Sequence, residues 1–164
     1  MKKIRSFIML FIFLILLSSC SGYNKIMRNH LSDSNSYCEY IVEVQEIAIS
    51  KYDSNRLGVF VKFFSKEEYA KFNGVSAENI TLAPEDYLII LEIIGDNINE
   101  VCDNGLMEEI QPGDVIELVA SNWIYMDGDF FYIIGLSKDN KEYLNKEEGL
   151  QNLIDYMNEN KSLL

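Results

Sequence analysis

The sequence predicts a mainly β domain with a few helices, and three observations lead to that prediction. Segments rich in Val, Ile, Tyr and Phe recur along the chain and are separated by turn residues, as strands and their connections are. Asp127-Gly128 lies between two such segments and signals a tight hairpin. The last segment instead repeats apolar residues at helical spacing. We therefore expect a sheet accompanied by a C-terminal amphipathic helix.

Five segments have the composition and length of strands. The third is almost entirely apolar, which is typical of a strand buried on both faces. Asp53-Ser54-Asn55 and Gln111-Pro112-Gly113-Asp114 have turn composition and precede the second and fourth segments. The predicted strands are Tyr37–Ser50, Leu57–Phe64, Asp86–Ile94, Val115–Met126 and Phe130–Leu136.

Three segments have helix signals. Ser65 stands three residues before Glu68, the spacing of a capping box, and predicts a helix over Lys66–Phe72. A shorter helix is expected over Leu106–Ile110. Asn145 resembles an N-cap and precedes an acidic first turn. One apolar stripe follows at i, i+3, i+4 and i+7, formed by Leu150, Leu153, Ile154 and Met157.

Five strands with these connections resemble the OB-fold, a small five-stranded Greek-key barrel. The segment Ile110–Ile116 and the hairpin at Asp127-Gly128 carry most of the resemblance, which covers Tyr37 to Leu136. An OB-fold has a helix between its third and fourth strands, whereas the clearest internal helix here lies between the second and third. We expect an OB-like barrel, with a β-sandwich as the alternative.

The N-terminus has the anatomy of a signal peptide. Three basic residues precede an unbroken apolar run from Phe7 to Leu17, which is too short for a membrane-spanning helix. Leu17-Ser18-Ser19-Cys20 then resembles the lipobox of bacterial lipoprotein signal peptides. That resemblance implies that Cys20 receives a diacylglycerol and, after cleavage, becomes the palmitate-bearing N-terminus at the extracytoplasmic face of the cell membrane. Two acyl chains satisfy the two-signal requirement for stable anchoring.

The chain is accordingly expected to divide into three parts. Residues 1–19 are the lipoprotein signal peptide, and residues 20–36 are polar and form a flexible tether. Residues 37–164 form a single β-rich domain, a length that buries a substantial core.

The charge excludes one class of partner. Three basic residues and no acidic ones lie in residues 1–19, which leaves 11 basic against 26 acidic residues and a formal charge of −15 after cleavage. Because nucleic-acid binding depends on clustered Lys and Arg, we expect no nucleic-acid partner. The acidity favours solubility or a basic partner.

Two cysteines remain once Cys20 is lipidated. Cys38 and Cys102 form an even pair in an oxidising compartment, and a bridge between them would close a long loop. Small buried free thiols are equally common. The cysteine count alone leaves both states open.

No catalytic constellation is evident, so we expect a non-enzymatic protein without a cofactor. The chain has one histidine, His30, and lacks the nucleophile and zinc motifs of hydrolases. Asp127-Gly128-Asp129 is explained by the hairpin turn, and Phe130 follows where a calcium loop would continue with polar ligands. We therefore expect no metal site.

The hairpin has an aromatic face. Alternation along its two strands places four aromatic side chains on the side opposite the aliphatic core: Trp123, Tyr125, Phe130 and Tyr132. Such a platform is suited to stacking a sugar or holding a peptide. The alternative is that the C-terminal helix covers this face with its apolar stripe.

Two functional hypotheses follow. The first is a membrane-anchored binding or accessory module whose protein or glycan ligand meets the aromatic hairpin. The second is a structural or immunity-type protective lipoprotein that engages a basic partner through its acidic surface.

Overall fold

The computed structural model describes residues 29–50, 55–121 and 131–160. They form a mainly β structure, as the sequence predicts. The six strands are β1 Tyr37–Ile49, β2 Arg56–Phe63, β3 Leu88–Ile94, β4 Val115–Ser121, β5 Ile133–Lys138 and β6 Lys141–Leu144. The helices are α1 Lys66–Phe72, α2 Asp96–Asp103, α3 Leu106–Glu109 and α4 Lys146–Glu159, with short 3-10 turns at Ser34–Ser36, Ala77–Asn79 and Pro84–Asp86.

The strands belong to one antiparallel sheet in the order β3-β2-β1-β4-β5-β6. This single open sheet differs from the two sheets of a sandwich and is not specifically the closed five-stranded barrel of the first expectation. The long strand β1 organises the sheet, because Tyr37–Glu43 pairs with β4 and Val42–Ile49 pairs with β2. A bulge between Val44 and Glu46 bends the strand between these two halves.

The sequence patterns do not predict β6. This strand pairs with β5 through a two-residue turn at Asp139 and Asn140, which have φ values of 51° and 65°. Positive φ at both central residues is the geometry of a type I′ hairpin turn, which Asp and Asn tolerate. The Asp-Asn dipeptide was therefore an available signal, although the strand that follows it has only four residues.

The edge strand β3 approaches the start of β5 at one point. The Glu92 N–H of β3 donates to the Phe131 carbonyl at 2.7 Å, and Glu92 forms an isolated parallel bridge with Tyr132, just before β5. The sheet thus curves enough for β3 and the start of β5 to meet.

Side chains on the concave face of the sheet form the main core. Tyr40, Phe63 and Phe72 meet there, with the Tyr40 ring in edge-on contact with both phenylalanines. Helix α1 contributes Phe72, while α2 and α3 contribute Val101 and Leu106. Helices therefore pack on this core from the connections after β2 and after β3.

A second apolar cluster lies between the sheet and α4. Leu153 and Met157 are buried there, and Leu150 and Ile154 pack partly buried against the cluster. Asn145 caps the helix by accepting from the Glu147 and Glu148 N–H groups at 3.0 and 3.3 Å. The cap and the apolar stripe predicted for the C-terminal helix are both confirmed.

Part of the predicted tether is packed against the domain. Leu31 is 1% exposed in the second cluster, and the Tyr37 hydroxyl donates to its carbonyl at 2.8 Å. His30 Nδ1 lies 3.1 Å from the Ser36 hydroxyl oxygen. The folded chain therefore begins before Tyr37, whereas the predicted signal peptide 1–19 and Cys20 lie outside the described residues.

Candidate functional site

The predicted aromatic platform is only partly within the described residues. Trp123, Tyr125, Phe130 and the Asp127-Gly128 turn lie outside them. Tyr132 is 1% exposed and packs in the second cluster beneath α4. The pKa of the Tyr132 hydroxyl is raised, mainly because the group is buried. The Tyr132 ring is therefore part of the interior and presents no surface to a ligand.

Cys38 and Cys102 are free thiols in this structure. Cys38 lies on β1 and Cys102 on α2, and both are half-buried against the main core. Burial raises the pKa of the Cys102 thiol, and the nearby Glu108 and Asp103 carboxylates raise it further. Because the thiolate is the reactive form, this environment makes Cys102 less reactive than an ordinary exposed cysteine.

A cavity of about 600 Å³ is lined by residues of α1, β1, β4, β5, β6 and α4. Four glutamates contribute to its wall, one each from α1, β1, β4 and β6, and Lys146 contributes from the first turn of α4. We call this cavity the acidic groove and define it by Glu39, Glu68, Glu117, Glu142 and Lys146.

Strand pairing brings these side chains together. Glu39 pairs with Val119, and Ile41 pairs with Glu117, so Glu39 and Glu117 stand on the same face of adjacent strands. Gly135 of β5 pairs with Val119 and extends the floor of the groove. An added Cβ at Gly135 would lie 3.0 Å from Val119 Cγ2, so glycine permits this close packing beside the start of α4.

Negative charge dominates the groove, because four carboxylates face one ammonium group. Glu68 accepts a hydrogen bond from the Ser65 hydroxyl at 3.0 Å, and Glu142 accepts one from Asn145 Nδ2 at 3.0 Å. None of the four glutamates forms an ion pair with another described residue. Their uncompensated charges make the groove attractive to cationic groups.

Tyr40 also lines the groove and is 4% exposed. Its buried hydroxyl lies beside the Cys38 thiol and forms no hydrogen bond of ordinary geometry with a described residue. Burial raises the pKa of this hydroxyl, with a smaller contribution from the Cys38 thiol. The tyrosine is therefore neutral at physiological pH and leaves a polar atom unsatisfied beside the groove.

The sequence alone does not indicate the glutamates of the groove as a site. Paired acids are typical of helix first turns, and Glu68 does lie in such a turn. The alternation of Glu39 and Glu43 with Tyr40 and Val42 was a signal that these glutamates lie on the outer face of β1. Only the register with β4 adds Glu117 to it.

Within the described ranges, no three His, Cys, Asp or Glu side chains converge as metal ligands would. No helix among the described residues is long and apolar enough to cross a membrane. No protein-family model, curated protein or solved structure matches the chain.

Proposed function

We propose that the chain is a lipid-anchored, extracytoplasmic binding module that engages a basic partner through the acidic groove. The observation that carries the binding role is the groove itself, a concave surface with four glutamates and one lysine. Charges concentrated in a concave surface attract an oppositely charged partner more strongly than the same charges dispersed over a convex one.

The anchoring part of the proposal is supported by the sequence of residues 1–20. A basic start, an apolar run and Leu17-Ser18-Ser19-Cys20 together resemble a lipoprotein signal peptide. A lipid on Cys20 would hold the domain beside the membrane, where partners of the cell envelope are met. A binding role rather than a catalytic one is supported by the single histidine and the lack of nucleophile motifs in the sequence.

The domain is proposed to be a partly closed, OB-like barrel with an added sixth strand. Three features support this: β1 pairs with both β2 and β4, Glu92 and Tyr132 form a parallel bridge, and helices lie between β3 and β4. The last feature supplies the helix that an OB-fold has between its third and fourth strands, and α1 between β2 and β3 is an addition to that pattern. OB-folds commonly serve as binding scaffolds, which agrees with the proposed role.

The groove is preferred over the aromatic hairpin as the binding surface. Of the four platform residues, the described one, Tyr132, is buried beneath α4. Binding at the hairpin would then depend on Trp123, Tyr125 and Phe130. A glycan ligand stacked on these rings remains the second candidate, and its affinity would depend little on salt.

Labelling with radioactive palmitate in a bacterial host tests the anchor. The full chain and a Cys38→Ala variant should both incorporate label, whereas Cys20→Ala should incorporate none. Retention of label in Cys20→Ala would contradict lipidation at this residue.

Binding of a fluorescent dodecalysine peptide to the full chain in detergent tests the groove. Glu39→Lys/Glu117→Lys should weaken binding about tenfold, because two attractive charges become repulsive. Glu78→Lys/Glu85→Lys changes the net charge equally at exposed positions outside the groove and is the matched control. Equal loss in both double variants would show that only overall charge matters and would overturn the groove as the site.

A further inference from the structure

One edge of β1 is covered by no strand along its N-terminal half. β4 pairs with Tyr37–Glu43 on one side, whereas β2 reaches the other side only from Val42 onward. β2 ends at Phe63, which pairs with Val42, and the chain then leaves the sheet to form α1. The edge beside Glu39 and Ile41 therefore lies beyond the end of β2.

The backbone groups on this edge lack partners among the described residues. Successive residues of an antiparallel strand point their N–H and C=O groups alternately to its two edges. Val44 donates to the Asp114 carbonyl and accepts from the Gly113 N–H, each at 2.8 Å and both on the β4 side. The N–H and C=O groups of Glu39 and Ile41 therefore point to the opposite edge of β1, where no described group forms a hydrogen bond with them.

The surroundings of this edge are both apolar and acidic. Ile41 is 50% exposed, and Phe64, directly after the last residue of β2, is 52% exposed. Glu39, Tyr40 and Ile41 line the acidic groove together with Glu68 of α1. The open space of the groove therefore reaches the uncovered part of β1.

We propose that this edge is a strand-addition site, at which an extended basic segment of a partner protein pairs with β1 at Glu39 and Ile41. Main-chain hydrogen bonds align the segment, and its cationic side chains enter the acidic groove. This inference rests on the proposed function and specifies how the groove recognises its partner.

Charge selects a basic partner over the other occupants of such an edge. A second copy of the chain would bring the same four glutamates against the first set, and like charges across an interface are costly. Residues 21–28 of the chain itself carry Lys25 and Arg28 and are the remaining alternative occupant. Measurements of peptide binding and of dimerisation distinguish these three occupants.

The probe is a peptide of alternating Lys and Val, compared with the same sequence N-methylated at alternate residues on one edge. Both peptides carry the same charge, but the methylated one cannot donate main-chain hydrogen bonds along the edge that faces β1. With the full chain in detergent, we expect the methylated peptide to bind about tenfold more weakly, because hydrogen bonds are lost.

Amide hydrogen exchange locates the contact. On binding of the unmodified peptide, the Glu39 and Ile41 amides should gain protection, whereas the Tyr40 amide, which points towards β4, should not change. An Ile41→Pro variant removes one outward N–H while keeping the charge, and should also weaken binding about tenfold. The exchange pattern and the methylated peptide test the proposal even where this variant is unstable.

The outcomes distinguish this inference from the proposed function. Equal binding of the two peptides, with Glu39→Lys/Glu117→Lys still weakening both, would overturn strand addition and retain the acidic groove. If peptide binding does not depend on the glutamates of the groove, both the proposed function and strand addition are overturned. If the affinity for the unmodified peptide rises at least tenfold in Lys25→Glu/Arg28→Glu, the edge is assigned to residues 21–28 of the chain itself. If the protein forms a dimer that the peptide dissociates, the edge is assigned to a second copy.

Discussion

Gly149 of α4 lies so close to the main chain of β5 that an added Cβ would overlap the Ile134 carbonyl oxygen. The helix thereby reaches the surface of the sheet, and Leu153 and Met157 complete the second cluster with Tyr132 and Ile134. This approach also explains why Tyr132 is buried. A helix held at a greater distance would leave the cluster loosely packed.

Gly149→Ala should therefore destabilise the domain. In an exposed helix the substitution would add about 1 kcal/mol of stability through helix propensity. Here the overlap should instead lower the free energy of unfolding by about 3 kcal/mol, as overpacking does. Gly58→Ala is the control, because its added Cβ would lie at an ordinary 3.6 Å from the Ala48 carbonyl oxygen. Urea denaturation measures both, and a stabilised Gly149→Ala would contradict the close approach.

Asn97 connects α2 to α4 from a buried position. Its Nδ2 donates to the Gly149 carbonyl at 2.9 Å, and its Oδ1 accepts from Asn152 Nδ2 at 2.9 Å. Asn97→Ala removes both of these hydrogen bonds from a buried position and should cost about 2 kcal/mol of unfolding free energy. Asn99→Ala, on the exposed side of the same helix, should change stability little. Similar losses in the two variants would show that the buried amide has no special role.

Glu109 should make stability depend on pH. Hydrogen bonds from Lys141 Nζ at 2.6 Å and the Tyr143 hydroxyl at 2.8 Å lower the pKa of its carboxyl group. Since the folded pKa lies below the unfolded one, the stabilisation is present above the ordinary carboxyl pKa and is lost as the pH falls through the lowered value.

Glu109→Gln should therefore be less stable than the parent at about pH 7 and should approach it at about pH 3. Thermal denaturation across this range measures the difference. Glu108→Gln, an exposed neighbour on the same helix, controls for a general effect of removing charge. A pH-independent difference between Glu109→Gln and the parent would contradict the lowered pKa.

Leu31 tests whether the domain begins before Tyr37. Leu31→Ala removes a side chain that is 1% exposed and should lower the free energy of unfolding by about 3 kcal/mol. Leu82→Ala, at a position 44% exposed, should cost no more than about 0.5 kcal/mol. If Leu31→Ala is as mild as the control in chemical denaturation, residues 29–36 behave as a tether after all.

Features that depend on neighbours in the chain were predictable from the sequence. Ser65 accepts from the Glu68 N–H at 3.1 Å and begins α1 where the capping box indicates. Each of the five predicted strands overlaps one of β1 to β5, and residues 122–126 and 130 of the predicted strands lie outside the described residues. Strand β6 was missed because four residues give too little alternation to recognise.

Features that depend on pairing between distant segments were not predictable. Alternation predicts that Trp123, Tyr125, Phe130 and Tyr132 share a face, but it leaves open what covers that face. For Tyr132 the answer is α4, whose position follows from Gly149 and the second cluster.

The sequence by itself indicated β1 to β5 and the helices α1, α3 and α4, and it predicted lipidation at Cys20, because turns, caps and signal peptides are local patterns. Only the tertiary structure decided that Glu39, Glu68, Glu117 and Glu142 line one groove. The physical reason is pairing between distant segments: Glu39 and Glu117 meet because β1 pairs with β4 rather than with β2 along its first half, and Glu142 is added by the pairing of β6 with β5. The same choice leaves the edge beside Glu39 and Ile41 uncovered, and no local pattern encodes which strand a segment pairs with.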